Sequence, residues 1–183
     1  TVATSINAAW NGCTGLTSFP IIDTSAILSC LNTWRNCTGL TSFPLLDLSA
    51  CTNFGAAWLD SDGITGTFPD IDFSAGTNFL QTFWGTAFSG FTPTDFSSGT
   101  SFHSMFKGNT ALTSLGNLIT EGPSNQAFDS MFSGCSALVS IGSIDTTGTD
   151  GGSTAMFTGC SSLTSPDSGE QTDLADSNGA DFN

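Results

Sequence analysis

The one histidine, His103, is the side chain best suited to act as a general base near neutral pH. A serine or cysteine nucleophile needs such a base, held in turn by a third group. His103 lies between Phe102 and Ser104, with no cysteine nearby in sequence and no nucleophile-elbow motif, so it reads as scaffold or surface. Two carboxylate pairs, Asp60 with Asp62 and Asp70 with Asp72, have the groups for acid–base work on a glycan. Both fall at turn positions of a repeat, which explains them without a substrate. The six cysteines include no Cys-x-x-Cys pair, so convergent zinc ligation is not expected. Asp176, Asn178 and Asp181 place oxygen side chains around Gly179 as calcium loops do, but not at EF-hand spacing and with no glutamate following. The expectation is a non-enzymatic chain with no cofactor and no metal.

The element that positions these residues is a repeat. Trp10, Trp34, Trp58, Phe83, Phe106, Phe132 and Phe157 follow one another at gaps of 24, 24, 25, 23, 26 and 25 residues. A period in this range marks stacked units, none of which buries its own apolar face alone. The fold expected is a repeat solenoid, a leucine-rich-repeat-like stack of about seven coils. Each coil has a short strand plus a short helix or turn, and a parallel sheet runs between coils.

Counting from each aromatic anchor, position +2 holds Gly12, Asn36, Asp60, Gly85, Gly108, Gly134 and Gly159, types that enter left-handed backbone readily. Four residues before the anchors stand Ile6, Cys30, Phe54, Phe79, Phe102 and Phe128, and an i, i+4 pair of bulky residues shares one helical face. Ser25, Ser49, Ser74, Ser97 and Ser124 are placed to cap such a helix, predicted to be barely two turns long. After the turn, apolar residues such as Leu16 and Phe19, or Leu40 and Phe43, bracket a short predicted strand. Pro20, Pro44 and Pro69 then stop its ladder, because proline has no N–H to give.

On that strand Thr17, Thr41, Thr65, Thr113 and Thr164 share the position after the first apolar residue and should face outward in a row. Val139 and the fourth coil interrupt it. Trp84 stands outside the anchor column and is the one candidate exposed aromatic contact. Cys13, Cys37, Ser61, Thr86, Asn109, Cys135 and Cys160 form a column of small hydrogen-bonding side chains serving turn backbone. Asp23, Asp47, Asp72, Asp95 and Asp145 each precede a Ser or Thr by two residues, the spacing of an Asx turn. Cys30 and Cys51 lie off the cysteine column in adjacent coils. Free thiols and bridges both remain open, between Cys30 and Cys51 or within the column.

Phe132-Ser-Gly-Cys-Ser-Ala-Leu138 and Phe157-Thr-Gly-Cys-Ser-Ser-Leu-Thr-Ser165 resemble the BspA-like leucine-rich repeats of bacterial surface proteins. The Trp34 unit, Trp-Arg-Asn-Cys-Thr-Gly-Leu-Thr-Ser-Phe-Pro, is similar to them. The third and fourth coils depart from the pattern, with Ser61 and Thr86 in place of cysteine. The likeness covers residues 1–165 and implies a leucine-rich-repeat scaffold on a surface-exposed protein, often an adhesin. It transfers no binding site, because the matching residues are scaffold. Residues 166–183 carry five acids and no cation and read as an acidic tail or C-terminal cap.

Composition narrows the partners. Two cations, Arg35 and Lys107, stand against 16 acidic residues for a net charge of −14 over 183 residues, so nucleic acid and anionic membrane surfaces are repelled. No apolar run has the ~20 residues of a membrane span. The first expectation is a recognition or adhesion module, extracellular or on a cell or virion surface, that binds a protein or glycan. A structural subunit of a virion or an extracellular filament, self-associating through exposed coil ends, is the second. An ice- or surface-binding protein using the threonine row is the third.

Overall fold

The computed structural model describes residues 3–120, 128–144 and 155–164. Ser124, Asp145, the 166–183 tail and the calcium-like stretch within it lie outside the described residues. Among the described residues there is no helix. The strands are β1 (Thr67–Phe68), β2 (Gly90–Phe91), β3 (Ser114–Leu115) and β4 (Ser140–Ile141). β1 and β2 pair in parallel, Thr67 with Gly90 and Phe68 with Phe91. β3 and β4 do likewise, Ser114 with Ser140 and Leu115 with Ile141, so there are two separate two-stranded sheets. The expected seven-coil stack of strand plus helix with one inter-coil sheet is thus corrected.

The physical reason lies in the backbone around each anchor. Position −2 is left-handed in every repeat, at Ala8, Asn32, Ala56, Gln81, Ser104, Ser130 and Ala155, with φ between 51° and 57°. Position +2 is left-handed as well, from Asn36 and Asp60 at 56° to Gly134 at 81°. A left-handed residue every fourth position ends any right-handed helical run. What forms is a ribbon of overlapping turns. In the third repeat the N–H groups of Ala57, Leu59 and Ser61 donate within the repeat to the carbonyls of Phe54, Ala56 and Trp58 at 3.0, 3.3 and 3.1 Å. The alternate N–H groups of Phe54, Ala56, Trp58 and Asp60 donate to Asn78, Leu80, Thr82 and Trp84 of the next repeat at 2.8–2.9 Å. Backbone donors and acceptors are satisfied by this division of labour, which a helix would achieve with i−4 bonds.

Three-residue turn steps also imitate helical burial. Phe54, Ala57, Trp58 and Ser61 are all fully buried, at the −4, −1, 0 and +3 spacing that a helix face would show. The expected helix caps accordingly serve turns: Ser25, Ser49 and Ser74 donate their hydroxyls at 2.7 Å to Asp23, Asp47 and Asp72, two residues earlier. The strands are only two residues long because a turn precedes them and proline stands at position 69 or 93 soon after β1 and β2.

Aromatic columns fill the interior. The seven anchor rings stack along the whole series with centroids 5.1–5.9 Å apart and planes within 14° of parallel. A second stack runs through Phe54, Phe79, Phe102 and Phe128 at 5.2–5.5 Å. A third, Phe19, Phe43, Phe68 and Phe91, meets the anchors edge to face, as where Trp58 lies 5.1 Å from Phe43 at 89°. The step between rings is close to the ~4.8 Å spacing of neighbouring strands, so backbone pairing and ring stacking reinforce each other.

Candidate recognition surface

Thr17, Thr41, Thr65, Thr113 and Thr164 are all exposed, and they lie on two runs of backbone bonds between repeats, offset from each other by one residue. Thr41 N–H donates to the Thr17 carbonyl and Thr65 N–H to that of Thr41, each at 3.3 Å. At the fourth repeat the chain slips by one residue. Ser89 N–H takes the Gly66 carbonyl at 2.7 Å, and Gly66, at φ 75°, absorbs the extra residue. Thr113 then donates to Ser89, Val139 to Thr113 and Thr164 to Val139, at 2.8–3.2 Å. The hydroxyls of Thr41, Thr113 and Thr164 also point back along the ladder, each 3.2 Å from the carbonyl that its own N–H engages. This fixes their rotamers and leaves oxygen lone pairs and methyl groups toward solvent. Ser18, Ser42, Ser114 and Ser140 lie beside the row and are exposed too, widening it to two hydroxyl columns.

Trp84 belongs to a different strip. It is half-buried on the turn ribbon, its carbonyl accepts from Asp60 N–H, and the Lys107 ammonium sits 4.8 Å from its ring centroid. Arg35, Leu59, Trp84 and Lys107 occupy position +1 of four successive repeats, so both cations of the chain fall on one strip with the indole between them. No contact links Trp84 to the threonine row among the described residues. The strip was visible in the sequence at the same period as the anchors.

A second hydroxyl row was missed by the sequence reading. Thr4, Thr52, Thr77 and Thr100, six residues before their anchors, are exposed, with Leu28 interrupting. Thr52, Thr77 and Thr100 each donate a hydroxyl to the carbonyl one repeat back at 3.0–3.2 Å. Beside them the Asn78 side-chain amide donates to the Asn53 side chain at 3.0 Å. The period-matched threonines were the available signal.

The remaining polar columns are structural in their contacts. The Cys37, Cys135 and Cys160 thiols each donate at 3.1 Å to the anchor carbonyl one repeat back, those of Trp10, Phe106 and Phe132. Ser61 does the same to Trp34 at 2.6 Å. Burial pushes the Cys135 thiol up to about 12 and the Cys160 thiol to about 11. Asp23 and its counterparts accept from the backbone two residues on, and the Ser25 hydroxyl and N–H hold the Asp23 carboxyl below its ordinary value. Asp60, Asp62, Asp70 and Asp72 are all exposed. His103 is half-buried, and its ring has no hydrogen-bond partner among the described residues. Cys30 and Cys51 are both fully buried free thiols with sulfurs 3.5 Å apart.

No cluster of three or more metal-ligating side chains is found among the described residues, and none of their segments forms a helix long and apolar enough to cross a membrane. Comparison of the chain with family models, with curated proteins and with solved structures found no match in any of the three.

Proposed function

We propose that the chain is a non-catalytic recognition module, displayed outside the cell or on a virion, that binds a neutral glycan or a protein through its threonine face. The observation that carries this is the exposed row Thr17, Thr41, Thr65, Thr113 and Thr164, held by backbone bonds between repeats. The hydroxyls of Thr41, Thr113 and Thr164, with rotamers already fixed, lose little entropy on binding and can each accept from a partner. The row carries no charge, which suits a partner that the net charge of −14 would not repel. The resemblance of the Phe132 and Phe157 units to BspA-like repeats of bacterial surface proteins supports the same setting.

The test is retention on a glycan array and on intact cells, with a Thr41→Lys, Thr65→Lys, Thr113→Lys variant as comparison. The native chain should bind and the variant should lose at least about tenfold in affinity, with its melting temperature unchanged. Absence of binding by the native chain, or full binding by the variant, would overturn the reading. Ice shaping by the native chain, abolished in the variant, would reassign the same face to a surface-binding role.

A further inference from the structure

We propose that Cys30 and Cys51 form an intramolecular disulfide that ties the second repeat to the third. Their sulfurs are in van der Waals contact at 3.5 Å and both residues are fully buried, so the pair is already facing and enclosed. Three of the other four cysteines are differently employed. The Cys37, Cys135 and Cys160 thiols point along their column at a carbonyl 3.1 Å away, and each would give up that bond to form a bridge. Among the described residues Cys30 has no carbonyl partner, and Cys51 has only a long contact of 3.6 Å to the Asn53 carbonyl.

The aromatic columns say why a sulfur pair sits here. In the fourth and fifth repeats the Phe79 and Phe102 rings lie over Gly76 and Gly99, so closely that a Cβ on either glycine would meet the ring. The stack that begins at Phe54 has no ring at position 30. Cys30 stands where the third to sixth repeats have phenylalanine, and Cys51 stands where the fourth and fifth have Gly76 and Gly99. The two sulfurs together fill the head of the stack.

The oxidant is a low-molecular-weight disulfide. Either cysteine can attack first, since both are open to solvent before the repeats close; in one order Cys51 is the attacking sulfur. Its thiolate displaces one small thiol and forms a mixed disulfide. Cys30, losing its proton to solvent, then attacks the Cys51 sulfur and releases the second small thiol. Two electrons pass from the cysteine sulfurs to the oxidant, and one S–S bond replaces another. Burial of the finished site places this exchange before the repeats close around it.

The experiment is refolding of the full chain with oxidised and reduced glutathione, followed by intact mass, thiol alkylation and chymotryptic mapping. The expected product is about 2 Da lighter, alkylates at four cysteines and yields one linked peptide pair containing Cys30 and Cys51. It should melt roughly 6–12 °C above the reduced chain, since the bridge closes a loop of some 20 residues. Cys30→Ala and Cys51→Ala variants should show no mass loss. Six alkylatable thiols after oxidative refolding, or a linkage that joins other cysteines, would overturn the proposal.

Discussion

The Ser61 hydroxyl donates to the Trp34 carbonyl at 2.6 Å, in the position where the Cys135 thiol reaches Phe106 at 3.1 Å. Hydroxyl and thiol are therefore interchangeable at this turn, and the donor is what the position requires. Cys135→Ser should change stability by less than about 1 kcal/mol. Cys135→Ala removes both the donor and a buried sulfur and should cost about 1–2 kcal/mol more than the serine variant. Urea denaturation of the two variants checks this; equal losses would show that the column needs volume and not a donor.

The same thiols give the protein an alkaline limit. Their folded values, about 12 for Cys135 and about 11 for Cys160, stand above the ordinary value of 9.0 because burial disfavours the thiolate. Between the unfolded and folded values the native state holds more protons than the unfolded one, so stability falls as pH rises. It is complete below pH 9 and declines toward pH 11 and 12. Thermal melts across this range should show the decline, and a Cys135→Ser, Cys160→Ser double variant should flatten it. An unchanged slope would place the alkaline sensitivity elsewhere.

Backbone handedness can be tested at two positions with opposite expectations. Gly108 has φ 71°, and a Cβ there would meet the Trp84 ring at 3.7 Å and the Gly85 nitrogen at 4.0 Å, both ordinary contacts, so Gly108→Ala isolates the left-handed strain. It should cost about 1–2 kcal/mol. Ala8 is exposed at φ 54° and carries that strain already. Ala8→Gly should stabilise by about 0.5 kcal/mol, the relief being partly offset by a freer unfolded chain. Destabilisation of both variants would argue against left-handed turns at these positions.

The period, the buried columns, the Asx turns and the donor ladder were all legible in the sequence, because each depends on side-chain type at a fixed spacing. The helix was misread at one point. Phe54 and Trp58 share a face at i, i+4 whether the chain between them is helical or is a string of i→i+3 turns. What distinguishes the two is the left-handed backbone at Ala56, and alanine gives no sign of it. Gln81 is equally silent. The threonine row was legible for the same reason as the anchors. The contact between Cys30 and Cys51 was only partly so, since adjacency of repeats brings the pair near but does not fix the direction of either sulfur.

The anchor column offers the last test. Trp34 and Trp58 are fully buried, and their indole N–H groups have no hydrogen-bond partner among the described residues, whereas from Phe83 onward the column uses phenylalanine. An unpaired buried donor costs about 1–3 kcal/mol. Trp58→Phe removes it while keeping a ring to stack on Trp34 and Phe83, which lie 5.1 and 5.2 Å away. The smaller ring leaves space whose cost, at about 24 cal/mol per Å³, is of similar size. The two effects oppose, so the variant should unfold within about 1 kcal/mol of the native chain. Trp58→Ala loses the stack and the edge contacts with Phe43 and Phe68 and should cost about 3–5 kcal/mol. If Trp58→Phe costs as much as Trp58→Ala, the indole contributes something that ring stacking does not, and the two tryptophans are not simply larger versions of the phenylalanines that follow them.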